Sequence, residues 1–397
     1  MKRHWMVVRY DEAGPQKLVS EAKDILTPAL AIYTDAVDEN IFATLRLVDG
    51  QSTRWRPHVK TAKLEATIRQ LMDFGIQQFK CATTLELLTV CRAGGKDVLM
   101  AYPSIGSHAL RVREIASQHP NVRVSIIVEN VRDIPVWRGS RIPIFIDVNP
   151  GMNRTGVDQY LTTDVIDLAC AIQSQGSKFG GLHYYDGHHR QLDLSERQRS
   201  AHLGYSQLMI LIRELQKENL SPPEVVTSGT PSLPCALTFP EFSTVGTKHT
   251  ISSGTIVYND MTSLSQIPSA WGYRLAAFVL TTVVSHPAPG LITCDAGLKS
   301  VSVDRGTPHC TVFGFPDFEP LHPSEEHLTI RVPGGVSKPE IGSILHLAPK
   351  HVCTTVNNFD HALLITNGAI VDVAPVSARG HEIPLSRKSG DSTGRTS

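Results

Sequence analysis

The sequence predicts an α/β fold, a (β/α)8 TIM-type barrel joined to a second, all-β domain. Three observations predict it. Short β-branched or apolar runs alternate with longer helix-periodic stretches from residue 55 to about 255. Eight such runs occur, ending at Lys60, Cys81, Ala101, Val128, Val148, Tyr185, Ser228 and Ser253, the repeat number of a closed barrel. After Asn259 the texture changes to short strands between Gly- and Pro-rich turns.

The first run, Trp55 to Lys60, sets Arg56, His58 and Lys60 on one side of an extended chain. A helix over Leu64 to Phe74 follows, with Leu64, Ile68, Leu71 and Met72 on one face. Leu194 to Asn219 repeats the pattern with Leu208, Leu211, Ile212 and Leu215. In the second domain, Ala276 to Val284, Leu291 to Asp295, Thr311 to Phe313, His327 to Val332, Ser343 to Leu347 and Ala362 to Thr366 read as strands. Ala29 to Tyr33 precedes the first barrel helix and is expected to pair with them. The expected divisions are therefore 1–34 packing with the β domain, 35–260 as the barrel, 261–377 as the β domain and 378–397 as a polar, disordered tail.

Composition removes several function classes. Lysine plus arginine and aspartate plus glutamate both number 38, so no field of one sign invites nucleic acid or an anionic membrane. No run approaches about 18 uninterrupted apolar residues. The seven cysteines are odd in number and scattered, and the N-terminus lacks a secretory pattern, which together point to a reducing, cytoplasmic setting. Neither a Gly-X-Gly-X-X-Gly turn nor a phosphate loop of the Gly-X4-Gly-Lys-Ser/Thr type is present.

In a barrel the C-terminal strand ends share one mouth, and the motifs fall there. Lys60 ends the first strand, where an amine becomes a Schiff-base nucleophile once burial or neighbouring cations lower its pKa; Arg56, His58 and Lys63 are the candidate neighbours. Gly151 to Gly156 offers Arg154 to an oxyanion. The sixth strand ends in Tyr185-Asp186-Gly187-His188-His189. Ser228-Gly229-Thr230 and Ser253-Gly254-Thr255 close the seventh and eighth, where a barrel builds a phosphate site from amides and hydroxyls. His351-Val352-Cys353 stands at the end of a predicted strand, where residues two apart point the same way and share one ion, with nitrogen and sulfur suiting zinc. Two ligands leave positions open for water or substrate.

Arg56-Pro57-His58-Val59-Lys60-Thr61, Cys81-Ala82-Thr83, Asp97 to Pro103, Arg154-Thr155-Gly156, Tyr185 to His188, Asp295 to Lys299, Ser324 to His327 and Pro349 to Asn357, in that order, resemble the D-threonine aldolase and D-serine dehydratase family, alanine racemase-like enzymes. The resemblance runs from about Thr27 to Ala378. It implies pyridoxal 5'-phosphate on Lys60, Arg154 at its phenolic oxygen and Tyr185 by its ring. It also implies a phosphate held by Ser228, Gly229, Thr230, Gly254 and Thr255, with Tyr258 a further candidate. His351 and Cys353 would bind a divalent metal, zinc ahead of manganese or magnesium, and His188 or a metal-bound water would take the β-hydroxyl proton. The implied reaction is retro-aldol cleavage of a D-3-hydroxy amino acid of the D-threonine type. The alternatives are a D-serine or D-3-hydroxyaspartate dehydratase, or an amino-acid racemase, whose second base would fall on Tyr273. Family members are commonly homodimers with sites at the subunit interface.

Some positions depart from the pattern. Ala62 stands where many members carry histidine, Gln191 where aldolases tend to carry histidine, and Cys353 where some aldolases use aspartate.

Overall fold

A computed structural model of the chain describes residues 13–19, 24–191 and 193–384. Strand β1 (Ala29–Tyr33) leads directly into helix α1 (Thr34–Leu47). The barrel then proceeds through α2 (Glu65–Asp73), β2 (Gln78–Cys81), α3 (Thr84–Ala93), β3 (Asp97–Met100), α4 (Ser107–Gln118), β4 (Arg123–Val128) and β5 (Ile144–Asn149). It continues with the two-residue β6 (Val157–Asp158), α5 (Thr162–Ser174), β7 (Phe179–Tyr184), α6 (Leu194–Lys217), β8 (Glu224–Thr227), α7 (Leu233–Leu237) and β9 (Lys248–Ile251). After α8 (Met261–Gln266) come β10 (Ala277–Ser285), β11 (Leu291–Cys294), β12 (Cys310–Val312), β13 (Glu319–Pro320), β14 (Leu328–Arg331) and β15 (Ile344–Pro349). The short α9 (Val352–Val356), β16 (His361–Thr366) and β17 (Ala369–Pro375) complete the order.

The parallel sheet runs β2-β3-β4-β5-β7-β8-β9, with β6 beside β5. The first predicted stave is not a regular strand. Trp55 bridges Ile251 and His58 bridges Lys80, so the segment closes the ring through two isolated contacts. Pro57 has no amide to donate between them, which breaks the ladder. Alternation nonetheless holds inside the ring. Leu99, Ile127, Phe145 and Val226 form one apolar layer. Arg56 lies below it, buried, donating to Asp97 at 2.8 Å and Glu224 at 3.0 Å.

The second sheet runs β13-β14-β11-β10-β1-β16-β17, with β15 on β10 and β12 on β15. β1 lies antiparallel to β10 and parallel to β16, so the chain enters through this sheet before building the barrel. Two strands, β13 and β17, are not visible in the sequence pattern. β17 is largely exposed along its length, which erases the apolar alternation that marks a strand.

The expected tail is corrected in part. Residues 378–384 are packed: Ala378 is fully buried and exchanges hydrogen bonds with Lys63, while Glu382 pairs with Arg111 at 2.6 Å. Residues 385–397 of that expectation lie outside the described residues. Among the described residues no helix is long and apolar enough to cross a membrane.

Candidate active site

Lys60 sits in the turn that follows the closing segment, braced by a hydrogen bond from its amide to Nδ1 of His58 at 3.2 Å. The expected sources of positive charge around it are corrected by the structure. Burial, then Lys60 and Lys80, hold His58 well below the ordinary histidine range, so it is a neutral acceptor and not a cation. Arg56 is committed to Glu224 and Asp97, and Lys63 to Glu86 at 2.9 Å. The cations that do gather here surround Tyr185. Lys60, Lys80 and Arg154 lie 5.7, 5.3 and 4.8 Å from its ring centroid. Thr155 positions the Arg154 loop by donating to Asp147 at 2.7 Å, and Asp147 also meets Nδ1 of His183 at 2.7 Å.

The loops after β8 and β9 form a cradle beside this cluster. The side-chain oxygens of Ser228 and Thr230 are buried without a hydrogen-bond partner, a costly state that an anion from outside the chain relieves. Ser228 adopts a left-handed backbone with φ of 59°, turning its loop inward. Gly254 approaches so closely that a Cβ there would meet the His58 carbonyl oxygen at 2.1 Å. The amides of Gly254 and Thr255 have no acceptor among the described residues. Two expectations change. The Gly229 amide donates to Asp186 at 3.2 Å, so Gly229 contributes close packing against Tyr185 in place of a donor. The Tyr258 hydroxyl pairs with Thr67 at 2.7 Å and also donates to the Ala62 carbonyl, so it faces the core and not the cradle.

His351 and Cys353 line the same cavity as Lys60. They do not share a strand face as the sequence suggested: β15 ends at Pro349, His351 is the extended residue preceding α9, and Cys353 is in its first turn. The turn is fixed by Asp260, which accepts from the Val352 amide at 3.0 Å. The two side chains still interact. Burial works against charge on each, yet the pair wins: His351 is pushed up to about 9 by Cys353 and Asp304, and the Cys353 thiol is drawn down by His351. Nδ1 of His351 contacts Asp304 at 2.6 Å, and Thr61 lies 3.0 Å from the Cys353 sulfur. Lys60, His351, Cys353 and Asp304 line one cavity of about 830 Å³, walled in part by Gly380 and His381.

His188 is not among the lining residues of this cavity. Its ring lies 4.0 Å from that of His189, and burial draws it below the ordinary histidine range. Sequence reasoning missed Lys80, Asp304 and the 378–384 wall. Lys80 carried a signal, because it shares the interior parity of Gln78 on β2 where an apolar residue is expected. Asp304 lies in an irregular loop with no periodicity to mark it.

The profile of the family described as "Alanine racemase, N-terminal domain" matches residues 32–245, and that of the "Putative serine dehydratase domain" matches 276–365. A D-threonine aldolase of Arthrobacter sp is 27% identical over 89% of this chain and 93% of its own length. A 3-hydroxy-D-aspartate aldolase of Paracoccus denitrificans is 29% identical over 91% and 94%. The chain belongs to the alanine racemase-like family of D-threonine aldolases and D-serine dehydratases. The crystal structure of D-threonine aldolase from Filomicrobium marinum superposes with a TM-score of 0.82 at 25% identity, covering 92% of this chain and 99% of that one. An alanine racemase-like fold implies pyridoxal phosphate. The residues fit it: an amine at the mouth, a cation cluster for its anionic oxygens, and two orphaned hydroxyls for its phosphate. A cysteine sulfur beside an imidazole whose Nδ1 meets a carboxylate is also a donor set that suits a divalent metal.

Proposed function

We propose that the protein is a pyridoxal phosphate- and divalent metal-dependent lyase that cleaves D-3-hydroxy amino acids of the D-threonine type to glycine and an aldehyde. The observation that carries this reading is the single cavity lined by both Lys60 and the His351–Cys353 pair. When bound, pyridoxal phosphate supplies an electron sink for the bond broken at the substrate α carbon, and the metal a Lewis acid for the β-hydroxyl.

In this reading Lys60 holds the cofactor aldehyde and exchanges a proton with the substrate. Arg154 would pair with the phenolic oxygen and Tyr185 would lie by the ring. Ser228 and Thr230, with the amides of Gly254 and Thr255, hold the phosphate. His351 and Cys353 bind the metal, for which zinc suits nitrogen plus sulfur, and Asp304 orients the imidazole. Homodimer formation and a cytoplasmic location, implied by the resemblance and by the free cysteines, belong to the same proposal; light scattering checks the first.

Dehydration to a 2-oxo acid and ammonia is the second reading. It is favoured by a cysteine at position 353, where some aldolases use aspartate, and by the serine dehydratase profile over residues 276–365. Racemisation is not supported, because the Tyr273 hydroxyl is buried against Thr44 at 2.9 Å and is no free base. Incubation with D-threonine, D-serine and D-3-hydroxyaspartate, assayed for glycine and for ammonia, separates the two. Glycine is expected; ammonia without glycine replaces the aldolase reading by the dehydratase one.

A further inference from the structure

Lys80 is a buried lysine that the proposed chemistry leaves unused. It projects from β2 into the ring interior, under the Tyr185 ring at 5.3 Å, and is 2% exposed. Its amine donates to the Ser252 hydroxyl on β9 and lies 3.5 Å from Nε2 of His183 on β7. The other buried cations nearby are neutralised by direct contact: Arg56 by Glu224 and Asp97, Lys63 by Glu86. Among the described residues no carboxylate makes an ion pair with Lys80; Asp147 and Asp186 act on it only from a distance. A lysine recruited only to fill the interior would be expected to carry such a partner, because an unpaired buried charge is costly.

We propose that Lys80 is a positioning residue, a cation beneath Tyr185 whose field lowers the proton affinity of the nitrogen by which Lys60 holds the cofactor. This rests on the reading of Lys60 given above. Several groups face Lys80: His58 on the closing segment, Lys60 at the mouth, Asp147 and Arg154 on β5 and its loop, and His183 and Asp186 on β7 and its loop. The neutral His58 and the Asp147-bound His183 leave Lys60 and Arg154 as its like-charged neighbours. Burial first, then Lys60, draw the Lys80 amine down to about 7, so its charge responds to what occupies the mouth. Anionic phosphate and phenolic oxygens beside it favour the charged form.

The two amines lie within about 11 Å of one another, and at an effective dielectric near 20 charges so placed shift each other by about one pH unit. The test is the pH titration of the visible absorption band of the loaded protein, read in wild type, Lys80→Met and Lys80→Arg. The midpoint is expected to rise by about one pH unit in Lys80→Met and to stay with wild type in Lys80→Arg. Coincident midpoints in Lys80→Met and wild type overturn the proposal. So does a folded Lys80→Met protein that cannot retain the cofactor, because a field effect leaves attachment intact. Should Lys80→Met not fold, Lys80→Gln, which keeps a donor for Ser252, is read by the same criteria. A wild-type protein with no visible band refutes the Lys60 reading itself, and is thereby distinguished from failure of this one.

Discussion

Replacing Asp304 by asparagine tests how His351, the proposed metal ligand, is held. Nδ1 of His351 meets Oδ2 of Asp304 at 2.6 Å, while Oδ1 accepts from Ser302 at 2.8 Å and Thr354 at 3.1 Å. The carboxylate is thus locked by two hydroxyls, fixes the tautomer and leaves Nε2 for the ion. Removing such a partner costs about 10 to 100-fold in metal affinity. Asp304 is 40% exposed, so solvent screens part of its charge and the low end applies: about tenfold, or about 1.4 kcal/mol. Competition with a chromogenic chelator gives the dissociation constant, and circular dichroism reports whether the fold persists. An Asp304→Asn protein that folds and binds metal as tightly as wild type refutes the assigned role.

Other expectations follow from the same contacts. Arg56→Met leaves the buried Glu224 with only Lys248 at 3.8 Å and the Thr250 hydroxyl, while Asp97 keeps Arg123 at 2.7 Å; it is expected to lower stability by about 3 kcal/mol in urea unfolding, and an unchanged midpoint refutes the role of the pair. The double variant Ser228→Ala, Thr230→Ala removes the two orphaned hydroxyls and should weaken pyridoxal phosphate retention on dialysis while raising the melting temperature of the cofactor-free protein. Burial draws His249 down to about 3, and His309 and His346 to about 4. Each folded value lies below the unfolded one of about 6.5, so the stability they lend is complete above that pH and is lost as pH falls toward 4. At pH 5 each costs about 2 kcal/mol, visible by calorimetry as a lower melting temperature than at pH 7.

The barrel was legible because short apolar runs alternate with helix-periodic ones and the ends of those runs carry unusual residues. Lys60, His351 and Cys353 could be named from the chain, and they do line one cavity. What escaped depended on contacts between distant segments. Period-two reading carried the strand past Pro349, because nothing local announces that Asp260, ninety residues earlier in the chain, accepts from the Val352 amide and starts a helix there. Polar composition marked residues 378–384 as tail, yet Lys63 and Arg111 anchor them against the site. His58 looked like a cation beside Lys60, and burial, together with Lys60 and Lys80, keeps it neutral. Lys80 and Asp304 have no neighbours in sequence that explain them; each is given meaning by a side chain from another element.

The central claim is that residue 60 carries the cofactor. Borohydride reduction of the loaded protein, followed by peptide mapping, is predicted to place a single phosphopyridoxyl group on the peptide containing Lys60, and none on that containing Lys80. Recovery of the label on another lysine, or of no label from protein shown to hold pyridoxal phosphate, would contradict the account.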